Sequence, residues 1–522
     1  MSQHTLQLLT RGQLLLALPL LFAGSACAQA MSAQSGSGVA AMQETTIAPA
    51  PSYSVVNLGS GQVIRTPLIN KYGQVAYNIG AVAYYYDGTT IIAIPGLERS
   101  LNSIATGLND KGQVVGTSPV GNTGMVHPFI WSKQSGLFDL LPLDDAPFAE
   151  ALDVNNDGVA VGDSYRDPNI ALPAHAVRWT VPGSRLDLGS TGTGQSLAIA
   201  INDAGLIAGN AVISPDVVHG FAWTAATGLI DIGTLGGGKQ SEARAVDESG
   251  HIAGNAIVAN GRSHVFLWTR AGGIRDLGTG AGVSASVLGM SSRGRIAGSL
   301  QTSLGRDHAM TWTHSYGMKD IGTLPGGQIA RAWAANNYGQ VVGESALRDP
   351  ALFHAFVWTY ASGMIDLNKR VRYLPNGMVL QSALAISDNG SIVVQTNTGL
   401  ALLKPHRCGC GAAVGPIQAP AVVAAGSPYL VSASLADENT SAVHSVGWSW
   451  GDGSSDPMHN AIERNGEGSA SASHVYSKPG TYPVTFKVTD KAGHSASVTR
   501  RVVVQAAGQA IPSADGLLTH KN

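Results

Sequence analysis

The chain of 522 residues has room for more than one domain and for a large buried core. Only 13% of its residues are charged, and the formal net charge is −2, which excludes the basic footprint of nucleic-acid or anionic-lipid binding. The 65 glycines, with aromatics at fixed spacing, favour many short strands joined by tight turns.

Residues 1–28 read as a secretory signal peptide. Arg11 supplies the positive charge and Leu14 to Ala23 an apolar run of ten. Ala26-Cys27-Ala28 and Ala28-Gln29-Ala30 offer small residues at the cleavage positions. Ten apolar residues fall short of the roughly 20 needed to cross a bilayer, and no later stretch supplies them, so no transmembrane segment is expected. A lipid anchor at Cys27 is the minor alternative, with Gly24 standing where such signals usually carry leucine. Residues 29–52, rich in Ala, Ser, Gln and Gly, read as a flexible leader.

Residues 53–404 repeat one pattern every 44 to 48 residues. Trp131, Trp179, Trp223, Trp268, Trp312 and Trp358 mark the beat. Four residues before each stands a histidine: His127, His175, His219, His264, His308 and His354. Eight residues after each stands an aspartate: Asp139, Asp187, Asp231, Asp276, Asp320 and Asp366. A turn of Asn-x-x-Gly type occurs eight times, with its glycine at Gly73, Gly112, Gly158, Gly205, Gly250, Gly294, Gly339 and Gly390. Within one unit, Ser196 to Ile201, Leu206 to Gly209, His219 to Thr224 and Leu229 to Ile232 read as four strands, the size of one propeller blade. The two-residue period puts His219, Phe221 and Trp223 on one face and Ala222 on the other, so that neighbouring sheets nest. The eighth unit lacks its fourth strand, and Ser54 to Gly59 matches the missing element. An all-β propeller of eight blades closed by that strand is therefore expected, with seven blades or an open solenoid as alternatives.

These repeats resemble the bacterial HAF family of extracellular repeats, named for the tripeptide seen here as His354-Ala355-Phe356. The resemblance implies secretion and no defined activity. Residues 405–419 read as a linker that holds Cys408 and Cys410 beside His406. A local disulfide, a metal corner and a bland linker pair are all open, the last being favoured because further ligands are missing.

Residues 420–505 carry Trp448-Ser449-Trp450-Gly451-Asp452-Gly453-Ser454, His474-Val475-Tyr476 and Val484 to Asp490. This segment resembles a PKD domain, an immunoglobulin-like β-sandwich. Two departures stand out: Ser449 replaces an acidic residue common there, and Pro483 is expected to interrupt a strand. Residues 506–522 read as a disordered tail.

The six His–Asp pairs look like the base half of a catalytic triad. An active site does not recur six times around a ring, so a structural His–Asp–Trp network is preferred. Asp153 to Gly158 resembles the start of a calcium loop but lacks the later carboxylate. No metal or cofactor site and no catalytic residue is assigned. Departures from the repeat are the better binding candidates: Trp333, Arg331, Arg244 and Glu242 as channel lining, and Trp448 and Trp450 in the second domain. The expected function is that of a secreted, monomeric, non-catalytic binding or adhesion protein, its ligand a polysaccharide or a cell-surface protein. The alternative is an extracellular carbohydrate-active enzyme with paired carboxylates in the channel.

Overall fold

The computed structural model describes residues 52–506, apart from 167–173, 181–182, 193, 361, 372–373, 407–412, 416, 437–442, 465–466, 492 and 494. The signal, leader and tail expectations and the Cys408–Cys410 pair lie outside the described residues. Two compact units divide at Pro405 and His406.

The first unit is a ring of eight four-stranded sheets, numbered here as blades 1 to 8. Their first strands are Leu68–Ile69, Ile104–Leu108, Phe148–Val154, Gln195–Ile201, Gln240–Val246, Ser284–Met290, Ala330–Ala335 and Leu380–Ile386. These first strands touch one another all the way round and border the central channel. Ser52–Ser60 lies against Gly399–His406 as the outermost strand of blade 8, the closure expected from the spare N-terminal strand. Tyr53 and Leu58 on it are buried.

The two-residue period explains the ring. In blade 4, Phe221 and Trp223 enter a core shared with blade 3, whereas Ala222 on the opposite face enters the core shared with blade 5. There it meets Phe266 and Trp268 of the next repeat. Large side chains from one blade thus seat on the small side chains of the one before. Eight such cores fill the eight junctions, the last joining blade 8 to blade 1 through Leu402, Leu58 and Tyr77.

The turns after the first strands stitch the blades together, a role the sequence reading missed. The Asn70 side-chain amide donates to the Asn109 carbonyl, Asn109 to Asn155, Asn155 to Asn202 and Asn202 to Asp247, at 2.8–3.1 Å. Asn336 does the same to Ser387 at 3.1 Å. The seam is interrupted where the amide is replaced, at Asp247, Ser291 and Ser387. The glycine closing each turn has φ between 74° and 89°, which explains its recurrence in all eight.

Asp153 to Gly158 spends its oxygens on this stitching. Asp153 Oδ2 accepts from the Ile201 N–H of blade 4 at 2.9 Å and Oδ1 from the Val154 N–H at 2.8 Å. Asn155 Oδ1 accepts from Asp157 and Val159. Burial outweighs the two N–H donors and pushes the Asp153 carboxyl up to about 6. A carboxyl raised in the folded state binds more protons there than when unfolded, so stability falls as pH rises from its ordinary value of 3.8 through about 6. The same position holds Ala200, Ala245, Ala334 and Ala385 in other blades. Asp153→Ala is expected to flatten this part of the stability profile by up to ~3 kcal/mol between pH 4 and 7, at ~1.4 kcal/mol per pKa unit. Urea melts at both pH values check it, and parallel profiles for the two proteins would refute it.

The second unit is a β-sandwich of a four-stranded and a five-stranded sheet. It starts earlier than the expected boundary at 420. Ala413–Val414 pairs with the strand Pro428–Ala436, Ile417 is buried in the core and Gln418 bridges to Ser432, so these residues belong to the sandwich rather than to a linker. Pro483 does not interrupt its strand. Gly480–Thr489 runs through it, paired with Arg501 on one side. On the other side the neighbour Ser445–Ser449 pairs only with Thr485–Thr489, so the missing N–H of proline faces no partner strand.

Candidate functional site

Seven of the eight first strands carry the same irregularity. The register with the second strand slips by one residue at Thr106, Leu152, Ile199, Arg244, Leu288, Trp333 and Leu384. A bulge leaves its extra residue out of the ladder and re-aims the side chain. None of the seven is fully buried, and Leu288 is 38% exposed, while the alanines just before them, such as Ala151, Ala243 and Ala332, are at 0%. Each bulge is opposed in the second strand by a glycine in blades 2 to 7: Gly116, Gly162, Gly209, Gly254, Gly298 and Gly343. A Cβ there would sit 1.9–2.3 Å from a first-strand carbonyl oxygen. This is the physical reason for the second glycine of Asn-x-x-Gly-x-x-x-Gly.

The chemistry of the bulge positions varies between repeats: a hydroxyl, four aliphatic groups, one guanidinium and one indole. Arg244 and Trp333 both stand there, and Glu242 and Arg331 stand two residues earlier on the same strands. The Trp333 indole N–H and the Arg244 Nε–H are buried donors with no acceptor among the described residues. Acidic groups on this wall are matched by arginine. Glu242 Oε2 takes Arg244 at 2.6 Å, and Glu150 Oε2 takes Arg65, from the segment before blade 1, at 3.3 Å. Arg331 reaches Asp307 at 3.0 Å and Glu344 at 3.5 Å. These ion pairs hold the carboxylates in place as fixed polar groups.

All six His–Asp pairs form. Nδ1 of His127, His175, His219, His264, His308 and His354 lies 2.6–2.9 Å from the paired carboxylate. The other oxygen of each aspartate accepts the N–H two residues on, which caps the end of the fourth strand. The pairs therefore bind the third strand to the fourth. The tryptophans are apart from them, in the junction cores, and Trp179 Nε1 donates instead to the Leu141 carbonyl. The expected three-membered network is thus a polar pair and a separate apolar anchor.

Trp448 and Trp450 are withdrawn as binding residues. Both are 1% exposed in the sandwich core. Trp448 stacks on Trp450 at 5.9 Å and packs on Phe486 at 4.6 Å, while Trp450 Nε1 donates to Asp456. Their two-residue spacing gave them one face, and that face is the inner one.

Residues 413–506 match the family model described as PKD domain. The solved PKD domain of an M14-like peptidase from Thermoplasmatales archaeon SCGC AB-540-F20 is 23% identical. The match covers 18% of this chain and 95% of that one, with a TM-score of 0.16. TolB from Acinetobacter baumannii is 15% identical over 56% of this chain and 80% of its own, with a TM-score of 0.30. Dipeptidyl peptidase 4 from Porphyromonas gingivalis is 10% identical over 74% and 65%, with a TM-score of 0.43. No curated protein matches. The C-terminal part of the chain is a PKD domain, and eight propeller-like blades precede it.

Proposed function

We propose that this protein is a secreted, non-catalytic binding protein of the HAF-repeat type, which holds a polysaccharide or a cell-surface protein at the channel of its propeller. The observation that carries the proposal is the bulge ring. A regular repeat changes its chemistry at positions that border the channel, where a guanidinium, an indole and a hydroxyl stand among aliphatic residues. An aromatic ring beside fixed polar groups suits a neutral polymer or a protein loop. Secretion rests on the apolar run and cleavage residues of 1–28. The PKD domain serves as an accessory module.

The test is a pull-down of the chain from residue 29 on insoluble polysaccharides and on cell-envelope material, with released reducing sugar assayed in the same tubes. Retention without release is expected, and Trp333→Ala and Arg244→Ala should each reduce it at least ~5-fold, about 1 kcal/mol. Sugar release in proportion to the protein, or no retention on any material, would overturn the proposal.

A further inference from the structure

Away from the channel, the face that carries the stitching turns has a pocket of about 140 Å³, lined by His251, Arg293, Arg295, Trp312, His314 and Asn337. It lies where the seam of asparagine amides is interrupted. Asp247, with no amide N–H, replaces asparagine in blade 5, and Ser291 replaces it in blade 6.

The substitution at Ser291 has a second consequence. In blades 1, 2 and 7 the residue four positions after the turn's first is tied to it by a side-chain bond. Asn70 bonds Gln74, Asn109 bonds Gln113 and Asn336 bonds Gln340, each at 2.7 Å. In blade 5, Asp247 and His251 are 2.7 Å apart. In blade 6 the equivalent residue is Arg295. Ser291 Oγ reaches only its backbone N–H, at 3.2 Å. The guanidinium is left over, with no carboxylate in ion-pair distance among the described residues, and it extends toward Gly339 of blade 7. Burial pushes its pKa down, as expected for a cation enclosed without a counterion.

Arg293, exposed on the same turn, also has no acidic partner among the described residues, and the His314 ring packs against Trp312. The neighbouring acids already have partners. Asp247 is held by His251 and by the N–H groups of Ser249 and His251, and a Glu248 oxygen accepts from the Asp203 N–H. The pocket therefore gathers two guanidinium groups with no acidic partner among the described residues, the imidazoles of His251 and His314 and the Asn337 turn around a space for a few waters or one small anion. Guanidinium groups present planar forks of N–H donors that match carboxylate and sulfate oxygens.

We propose that this pocket binds an oxyanion, a carboxylate or sulfate group, through Arg295 and Arg293. The site is separate from the channel and stands or falls independently of the function proposed above. The repeat itself supplies a safe variant, because Arg295→Gln installs the residue that blades 1, 2 and 7 carry.

The experiment titrates the full secreted chain with sodium sulfate at constant ionic strength, followed by calorimetry and melting temperature. Polygalacturonate and chondroitin sulfate are compared with a neutral glucan in a second arm. Saturable sulfate binding is expected, weakened at least tenfold in Arg295→Gln and in Arg293→Ser, with the melting temperature of the unliganded variants within a few degrees of the parent. If acidic polymers bind and lose affinity in the same variants, the anion is supplied by a polymer. If only sulfate does so, the site takes the free ion. No saturable binding by the parent chain, or equal binding by parent and Arg295→Gln, would overturn the assignment.

Discussion

Gly254→Ala is expected to destabilise the propeller by ~3 kcal/mol or more. A Cβ at this position would lie 2.1 Å from the Glu242 carbonyl oxygen and 2.5 Å from the Phe266 ring. The ring has other rotamers, but the carbonyl belongs to the first strand at its bulge, and to move it would shift Arg244 and the channel wall. Gly305→Ala is the control. Gly305 has φ of 74° and no atom within 4 Å of the added carbon, so it should cost only ~1–2 kcal/mol of backbone strain. The shift in urea midpoint of the propeller transition compares the two, and equal losses would show that the close approach is not the reason for the glycine. Blades 1 and 8 support the steric account. They carry Tyr77 and Val394 in place of this glycine. There the first strand is only two residues long, or slips in register a second time, between Leu380 and Ser382.

Removal of the closing strand should have the second large effect. A chain that begins at residue 61 loses Ser52–Ser60 and leaves Gly399–His406 as an open edge. Tyr53 is 0% exposed and Leu58 3%, and the Leu58 carbonyl accepts from the Tyr77 hydroxyl at 2.6 Å. Loss of these two side chains alone should cost ~4 kcal/mol, and the bared strand invites edge-to-edge pairing. The expected result is a lower melting temperature together with higher oligomers on size exclusion. A monomer with the parent melting temperature would mean that Ser52–Ser60 does not close the ring.

Much of the fold was legible in the chain. The count of turns, the missing fourth strand of the last unit and the match of Ser54 to Gly59 to that element were all visible as sequence, because closure needs each strand to have a counterpart. The alternation of Phe221, Ala222 and Trp223 sufficed to assign faces, since side chains in a strand alternate strictly. The start of the sandwich was less legible. Residues 413–419 hold Gly and Pro, and their strand character comes from pairing with Pro428–Ala436 rather than from local propensity.

Candidate sites were legible in another degree. Departure from the repeat pointed to Arg244 and Trp333, and the structure puts both at bulges on strands that border the channel. It did not expose the bulges themselves, because a slip of one residue is decided by what opposes a strand. The same departure rule, had it been followed along the turn column, would have marked Ser291 and Arg295, where an amide partner is lost. The two tryptophans of the PKD domain went the other way: an aromatic pair on one face reads alike whether that face is core or surface.

The sequence by itself determined the repeat, the strand faces, the closure and the kind of domain at each end, because these follow from local periodicity and from the steric needs of glycine. Only the tertiary structure decided which irregular residues meet. The approach of Arg295 to the turn of blade 7, the match of Glu150 to Arg65 and the burial of Trp448 and Trp450 depend on groups far apart in the chain. Their proximity is set by packing of whole blades and sheets and leaves no local signature.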